Sequence, residues 1–246
     1  IGALNVGQVV VSGVGGAIAT ETLYADPNSD DMTNPDMYRV GSVATASVSS
    51  LTVDNVTGQV LAVQSTGGAV QTGTKVSGVL TGGFASVTNL KFDLANKVVV
   101  ADLTGVRDKN GTNPEATFNL GTTVLWTIAN VTGPTVIPPA ALLAADPKAA
   151  LTAAGFSNVV KKTDAQGDYY EGESNNLISG LAITPTGFDF FKNSLGLGKT
   201  GLSALTAVDD YGTVNSNLKF SFRPAVPEPS TYAMMALGLA GIGFVA

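Results

Sequence analysis

Apolar and polar positions alternate with a period of two along much of this chain, the spacing that sends every second side chain of a strand to one face of a sheet. Leu90, Phe92 and Leu94 interleave with Lys91 and Asp93, Asn96 supplies a turn, and valines fill 98–100. Residues 89–103 therefore predict a hairpin with one face in the core. Segments 40–53, 59–64, 75–80, 84–94, 98–103, 118–131, 177–184, 204–208 and 218–222 are rich in Val, Thr, Phe and Leu, with glycine or Asn-Gly turns between many of them, and also read as strands. So many short strands predict a mainly β body: an antiparallel β-sandwich, Ig-like or jelly-roll-like, with a long barrel as the other way to close.

The period changes at 138–156, which is Ala/Leu-rich. Asp146 is placed to cap, Pro147 to occupy the first helical position and Gly155 to stop the chain, so one or two short helices are expected there. Residues 187–195 could form another, with Phe188, Phe191 and Leu195 on one face. Pro224, Pro227 and Pro229 make the stretch after 223 stiff and extended. It divides a β-rich body, 1–223, from a Pro-rich linker and apolar segment, 224–246.

Composition narrows the chemistry. Neither cysteine nor histidine occurs, which removes thiolate and imidazole mechanisms and the commonest metal ligands. Charged residues are 13% of the chain, against about 25% in ordinary soluble domains, and mean hydropathy is +0.26. Such a weakly charged surface is expected to be covered by something. The net charge of −6, with basic residues scattered apart from the Lys161-Lys162 pair, argues against a nucleic-acid partner.

No charge precedes Glu21, and the chain opens at Ile1 without a methionine, which reads as a mature N-terminus after removal of a leader. Residues 1–19 are apolar yet carry Asn5, Gln8, Ser12 and five glycines, so a strand is expected and a membrane span is not. A dangling apolar strand is a liability in a monomer. Ile1, Leu4, Val6, Val9 and Val11 are therefore expected to pair with the sheet edge of a neighbouring subunit.

Several enzyme-like fragments fail on physical grounds. Gly13-Val14-Gly15 is followed by Ile18 where a dinucleotide loop needs a third glycine, so a Gly-rich turn is the reading. Gly198-Lys199-Thr200 would end a phosphate loop, but Asn193 stands where such a loop begins with glycine. Two acidic regions remain. Asp26, Asn28 and Asp30 have the alternate spacing of oxygen ligands for Ca2+, and Asp36 could close the shell, against a plainly solvated loop. Asp164, Asp168, Glu171 and Glu173 surround Tyr169 and Tyr170, a pair that could stack on a sugar or stand as a solvated hairpin tip.

Val226-Pro227-Glu228-Pro229-Ser230-Thr231 leads into fifteen uncharged residues that include Met234, Met235, Leu237, Leu239, Ile242, Phe244 and Val245. This arrangement resembles the PEP-CTERM sorting signal of bacterial envelope proteins, with Pro227, Glu228 and Pro229 as its motif; the family's Arg-rich tail is absent. The resemblance implies an apolar C-terminal helix, an exosortase-type processing enzyme, export to the cell surface or matrix, and a membrane met only in transit. The expectation for the whole is a non-enzymatic structural subunit of an extracellular filament, sheath or biofilm matrix. Its partner is another copy of itself, and Leu237, Leu239, Ile242 and Phe244 join the N-terminal residues in assembly. An exopolysaccharide-binding module, which the resemblance also permits, is the alternative, and a carboxylate-dependent glycosidase the second.

Overall fold

Strand-forming sequence dominates the computed structural model, which describes residues 3–31, 33, 37–111, 113–144 and 146–223. Strands hold 56% of the residues and every pairing with a determined register is antiparallel, as the alternation predicts. In chain order the elements are α1 (Ala3–Val6), β1 (Val10–Val14), β2 (Ile18–Ala25), β3 (Met37–Thr45), β4 (Val48–Val53), β5 (Val60–Ser65), β6 (Gly68–Gly73), β7 (Gly83–Asp93), β8 (Val98–Arg107) and β9 (Ala116–Thr132). There follow α2 (Pro139–Leu143), α3 (Lys148–Ala153), β10 (Ser157–Asp164), β11 (Gly167–Ile183), α4 (Pro185–Ser194), α5 (Lys199–Thr206) and β12 (Val214–Phe222). The described residues group into two units, one within 3–54, 60–132 and 177–215, the other within 55–59, 133–176 and 216–223.

In the first unit, strands run in the order β1-β6-β7-β8-β9 and then the second half of β11; β5 also pairs with β7 and carries β4, while β2 and β3 form a sheet of their own. The expected hairpin at 89–103 is the β7–β8 connection, where Asp93 accepts from the Asn96 backbone N–H at 2.9 Å and from its side-chain amide at 3.0 Å. Ala85 and Val87 of β7, Ala101 and Leu103 of β8 and Leu125 of β9 share a buried cluster with Phe190, Phe191 and Leu195 from α4 and the residue after it. Each large apolar side chain buried this way contributes about 1.5–3 kcal/mol. Thr184 starts α4 by accepting the Gly187 N–H at 3.1 Å, and Pro185 follows in the first turn, where its missing N–H costs nothing. Val99, Ile128, Ile178 and Leu181 form a second cluster.

Two strand expectations are corrected in this unit. Ala204 and Leu205 lie in helix α5, whose partly buried Leu197 neighbour and Leu205 pack against the first cluster. Residues 75–80 fold into a turn in which the Val76 N–H donates to the Leu80 carbonyl and the Leu80 N–H to the Val76 carbonyl, each at 3.0 Å.

The second unit combines β10, the first half of β11 and the end of β12 with α2 and α3. The predicted helical insertion is present as these two short helices, and Asp146 accepts the Lys148 N–H at 3.1 Å to start the second. Ala141, Leu151, Phe156, Val159 and Tyr170 are the core, with Phe220 and Phe222 of β12 packed on it. Phe156 meets Phe220 edge-on at 5.3 Å between centroids, and Tyr170 stacks on Phe222 at 5.9 Å. Such pairs add about 0.5–1.5 kcal/mol beyond burial.

Candidate functional site

The two-stranded sheet β2–β3 carries five exposed large apolar side chains, Ile18, Leu23, Tyr24, Met37 and Val43. A turn at 14–17 leads into it, with Gly15 at φ 65° and Gly16 at φ 88° and the Ala17 N–H donating to the Val14 carbonyl at 3.3 Å. Two successive left-handed residues reverse the chain between β1 and β2, which belong to different sheets, and glycine adopts them at least cost. This is the Gly-rich turn expected at residues 13–16. The strands then pair in the register Ile18↔Thr45, Thr20↔Val43, Thr22↔Gly41, with a bulge before Leu23↔Arg39 and Tyr24↔Tyr38.

Alternation assigns the two faces. Ile18, Thr20, Thr22 and Tyr24 lie on one side with Tyr38, Val43 and Thr45 opposite, and none of these carries a charge, although Tyr38 donates its hydroxyl to the Asp26 carboxylate at one end. Ile18 is 70% exposed, Val43 61% and Tyr24 59%. The other side holds Glu21, whose carboxylate accepts the Val11 N–H at 3.0 Å and the Arg39 Nε at 3.0 Å. Arg39 in turn donates its backbone N–H to the Asn5 side-chain oxygen at 3.2 Å. Burial pushes Glu21 up, but the Val11 N–H and the Arg39 guanidinium outweigh it and hold its carboxyl below the usual value of 4.5. Glu21 thus blocks the outward N–H of the edge strand β1 and ties that strand to the hairpin.

This arrangement corrects the donor-strand expectation. Val10, Ser12 and Val14 pair with Thr72, Val70 and Gly68 of the chain's own β6, and Val9 and Val11 are buried at 5% and 7% exposure. The apolar N-terminal strand has found an edge and a core in its own body. Val6 sits half-buried in α1, and Ile1 lies outside the described residues. Leu4 is part of the same helix.

Among the described residues of the acidic loop, Asp26 and Asn28 bond within the chain. Asp26 accepts the Asn28 backbone N–H at 2.9 Å and the Tyr38 hydroxyl, and the Asn28 amide also donates to it at 3.4 Å. The Tyr38 hydroxyl is the main reason that the Asp26 carboxyl titrates below its ordinary 3.8. The spacing that suggested Ca2+ closes an Asx turn on the loop itself. Asp30 is exposed, Asp36 lies outside the described residues, and no three acidic side chains converge among the described residues.

The tyrosine pair is separated by the strand that carries it. Neighbours in a strand point to opposite faces, so Tyr170 enters the core at 1% exposure while Tyr169 points outward beneath the Arg223 guanidinium, 5.2 Å from its ring centroid. Burial pushes the Tyr170 hydroxyl up. One stacking platform from both rings is therefore corrected. The carboxylates around them pair with cations: Asp168 with Lys161 at 2.7 Å, Glu171 with Lys162 at 2.5 Å, Glu173 with Lys219 at 3.8 Å, and Asp164 with Arg223.

Pro227, Glu228 and Pro229, and with them Leu237, Leu239, Ile242 and Phe244, lie outside the described residues. Residues 225–246 match the family model described as the PEP-CTERM protein-sorting motif. The segment is a PEP-CTERM sorting motif. PEP-CTERM motifs mark proteins that are exported and sorted, by exosortase, to the cell surface or the extracellular space, and that is the destination of this chain. Among the described residues, no helix is long and apolar enough to cross a membrane. Neither the curated proteins nor the solved structures contain a match to the chain.

Two groups of residues were missed by sequence reasoning. The open face of β2–β3 had a signal in the uncharged, β-branched stretch 40–53, which identified a strand without saying that its outer face stays bare. The Glu21–Arg39–Val11 contact spans loops and had no local signal.

Proposed function

We propose that this exported, PEP-CTERM-bearing chain is a non-enzymatic structural subunit of an extracellular filament, sheath or biofilm matrix, and that it self-associates through the open face of β2–β3. One observation carries the reading: Ile18, Tyr24 and Val43 are more than half exposed on one sheet face whose strand residues are uncharged. Exposed contiguous apolar surface on a soluble chain marks an interaction site. A second copy is the occupant because the chain carries a net charge of −6, so two copies repel least where neither presents charge. A face that meets its own copy about a two-fold axis closes a dimer, so a filament takes this face together with a second contact elsewhere on the chain.

The sandwich arrangement belongs to the same proposal, with β2–β3 as a second sheet lying against β1 and β6. The apolar residues of the sorting segment, Leu237, Leu239, Ile242 and Phe244, are assigned to transit through the membrane and, if retained, to a second contact. Negative-stain microscopy of material secreted by the native cell tests the reading. Regular fibres or sheets containing this chain support it, and isolated monomeric particles at all concentrations refute it.

A further inference from the structure

Apart from the assembly face, the first unit holds a polar cavity of about 200 Å³ at the end of β8. Arg107, the last residue of that strand, lines it together with Thr81, Asn110, Asn113, Lys192 and Asn193. On an acidic chain this is a concentration of cations and amides, with no carboxylate in the lining among the described residues. Among the described residues, Arg107 has no ion pair; Lys192 has only Asp189, one turn back on α4, at 3.4 Å. A third cation, Lys75, donates to the Asn110 side-chain oxygen at 3.0 Å, which leaves the Asn110 NH2 to donate elsewhere.

Two polar atoms at this cavity are buried and have no hydrogen-bond partner, the Arg107 Nε and the Thr81 Oγ1. A buried guanidinium N–H without an acceptor is costly, and an anion relieves it better than a neutral group does. The wall is built to keep them there. A Cβ on Gly196 would lie 1.9 Å from Thr81 Oγ1 and 3.0 Å from Arg107 Cγ, and Gly196 has φ +59°, so only glycine lets the three approach. The loop is fixed as well, by reciprocal backbone bonds of 3.0 Å between Asn110 and Asn113.

We infer that this cavity binds the carboxylate and neighbouring hydroxyls of a sugar acid, as a uronate unit of an acidic polysaccharide. The planar guanidinium matches a carboxylate through two parallel N–H bonds, while Lys192 adds a point charge. Asn110, Asn113 and Asn193 can each donate and accept, which is what sugar hydroxyls require and what a bare inorganic anion would leave unused. Asn113 is exposed and gives a polymer an approach to the outer part of the cavity, while the buried Arg107 Nε and Thr81 Oγ1 are reached by a local side-chain shift. This site goes beyond the assembly reading and does not depend on it.

Titration calorimetry on the full chain tests the site, with polygalacturonate as the probe, its fully methyl-esterified form as the neutral control and poly-L-glutamate as the acidic protein control. Polygalacturonate should bind, the ester about tenfold more weakly or less, and added salt should reduce the affinity. Arg107→Gln should lose about tenfold, and Lys192→Gln, on a half-exposed side chain that can change without disturbing the core, several-fold. Absence of polygalacturonate binding overturns the proposal, as does equal binding of the ester or unchanged affinity in Lys192→Gln. Equal affinity for poly-L-glutamate also overturns it, in favour of an acidic protein segment.

Discussion

Hairpin β10–β11 and hairpin β2–β3 both stand in water, and they treat that exposure in opposite ways. On β10–β11, Lys161 and Lys162 face Asp168 and Glu171 across the strands, and Arg223 closes on Asp164 beside them. Inward, the same hairpin buries Val159 and Tyr170. Directly opposed residues share a face, so Lys161–Asp168 lies on the Tyr170 side and Lys162–Glu171 on the Tyr169 side; the tip of this hairpin carries ion pairs on both faces, the pattern of a sheet meant to remain solvated. On β2–β3 the strand charges keep to one side: the ion pair Glu21–Arg39 lies on the side that caps β1, with side chains only 20% and 27% exposed, and the open side carries Ile18, Tyr24 and Val43. An isolated two-stranded sheet is marginal by itself. The contrast teaches that low charge in this chain is not uniform; it is concentrated where a partner would sit.

The largest effect should come from converting one kind of hairpin into the other. Placing Ile18→Lys and Val43→Lys together on the open face removes two large apolar side chains, worth about 1.5–3 kcal/mol each if buried between copies. Sedimentation velocity should show self-association weakened about a hundredfold or more, with the circular dichroism of the β body unchanged. Next in size is Glu21→Ala, which leaves the Val11 N–H and the Arg39 guanidinium without their acceptor. It should cost about 1–3 kcal/mol, seen in urea denaturation, and speed hydrogen exchange at Val11.

Smaller still is Lys161→Ala on β10–β11. Exposed ion pairs contribute little because water and salt screen them, so the urea midpoint should move only slightly, less again in high salt, and self-association should not move. The smallest effect is that of pH. Glu21 sits below its usual 4.5, so its contribution is fully present above that value and is lost as pH falls through the lowered one. Hydrogen bonds hold the carboxyls of Asp164 (from Arg223) and Asp168 (from Lys161) below 3.8, and those to Asp168 and Glu171 hold Lys161 and Lys162 above 10.5. The β10–β11 pairs should therefore keep their full effect between these ordinary values and lose it only outside them, as read by pH-dependent urea midpoints of variants such as Lys161→Ala against the parent.

Both the hairpin at 89–103 and the helices near 138–156 were legible because local pattern and tertiary packing agree there. Where they disagree, the sequence misleads. β6, Gly-Ala-Val-Gln-Thr-Gly, has weak strand propensity and is held by pairing with β1 on one side and β7 on the other. Helix α5 reads locally as a short strand because Ala204, Leu205 and Val208 are apolar, and only its packing against the first cluster decides otherwise. β10 escaped notice because its Lys161-Lys162-Thr163-Asp164 tail is polar, although cross-strand charge pairs make it a good solvated strand. At the candidate site, the exposed residues Ile18 and Val43 were hidden for the converse reason: a β-branched residue reads as core whether or not its own chain covers it. The sorting motif was legible in full, since it is a linear signal.

Hydrogen–deuterium exchange followed over a range of protein concentrations compares the two hairpins directly. The account predicts that raising the concentration slows exchange through residues 18–25 and 37–45 and leaves residues 157–173 unchanged. Equal protection of both hairpins, or protection of β10–β11 alone, would contradict it.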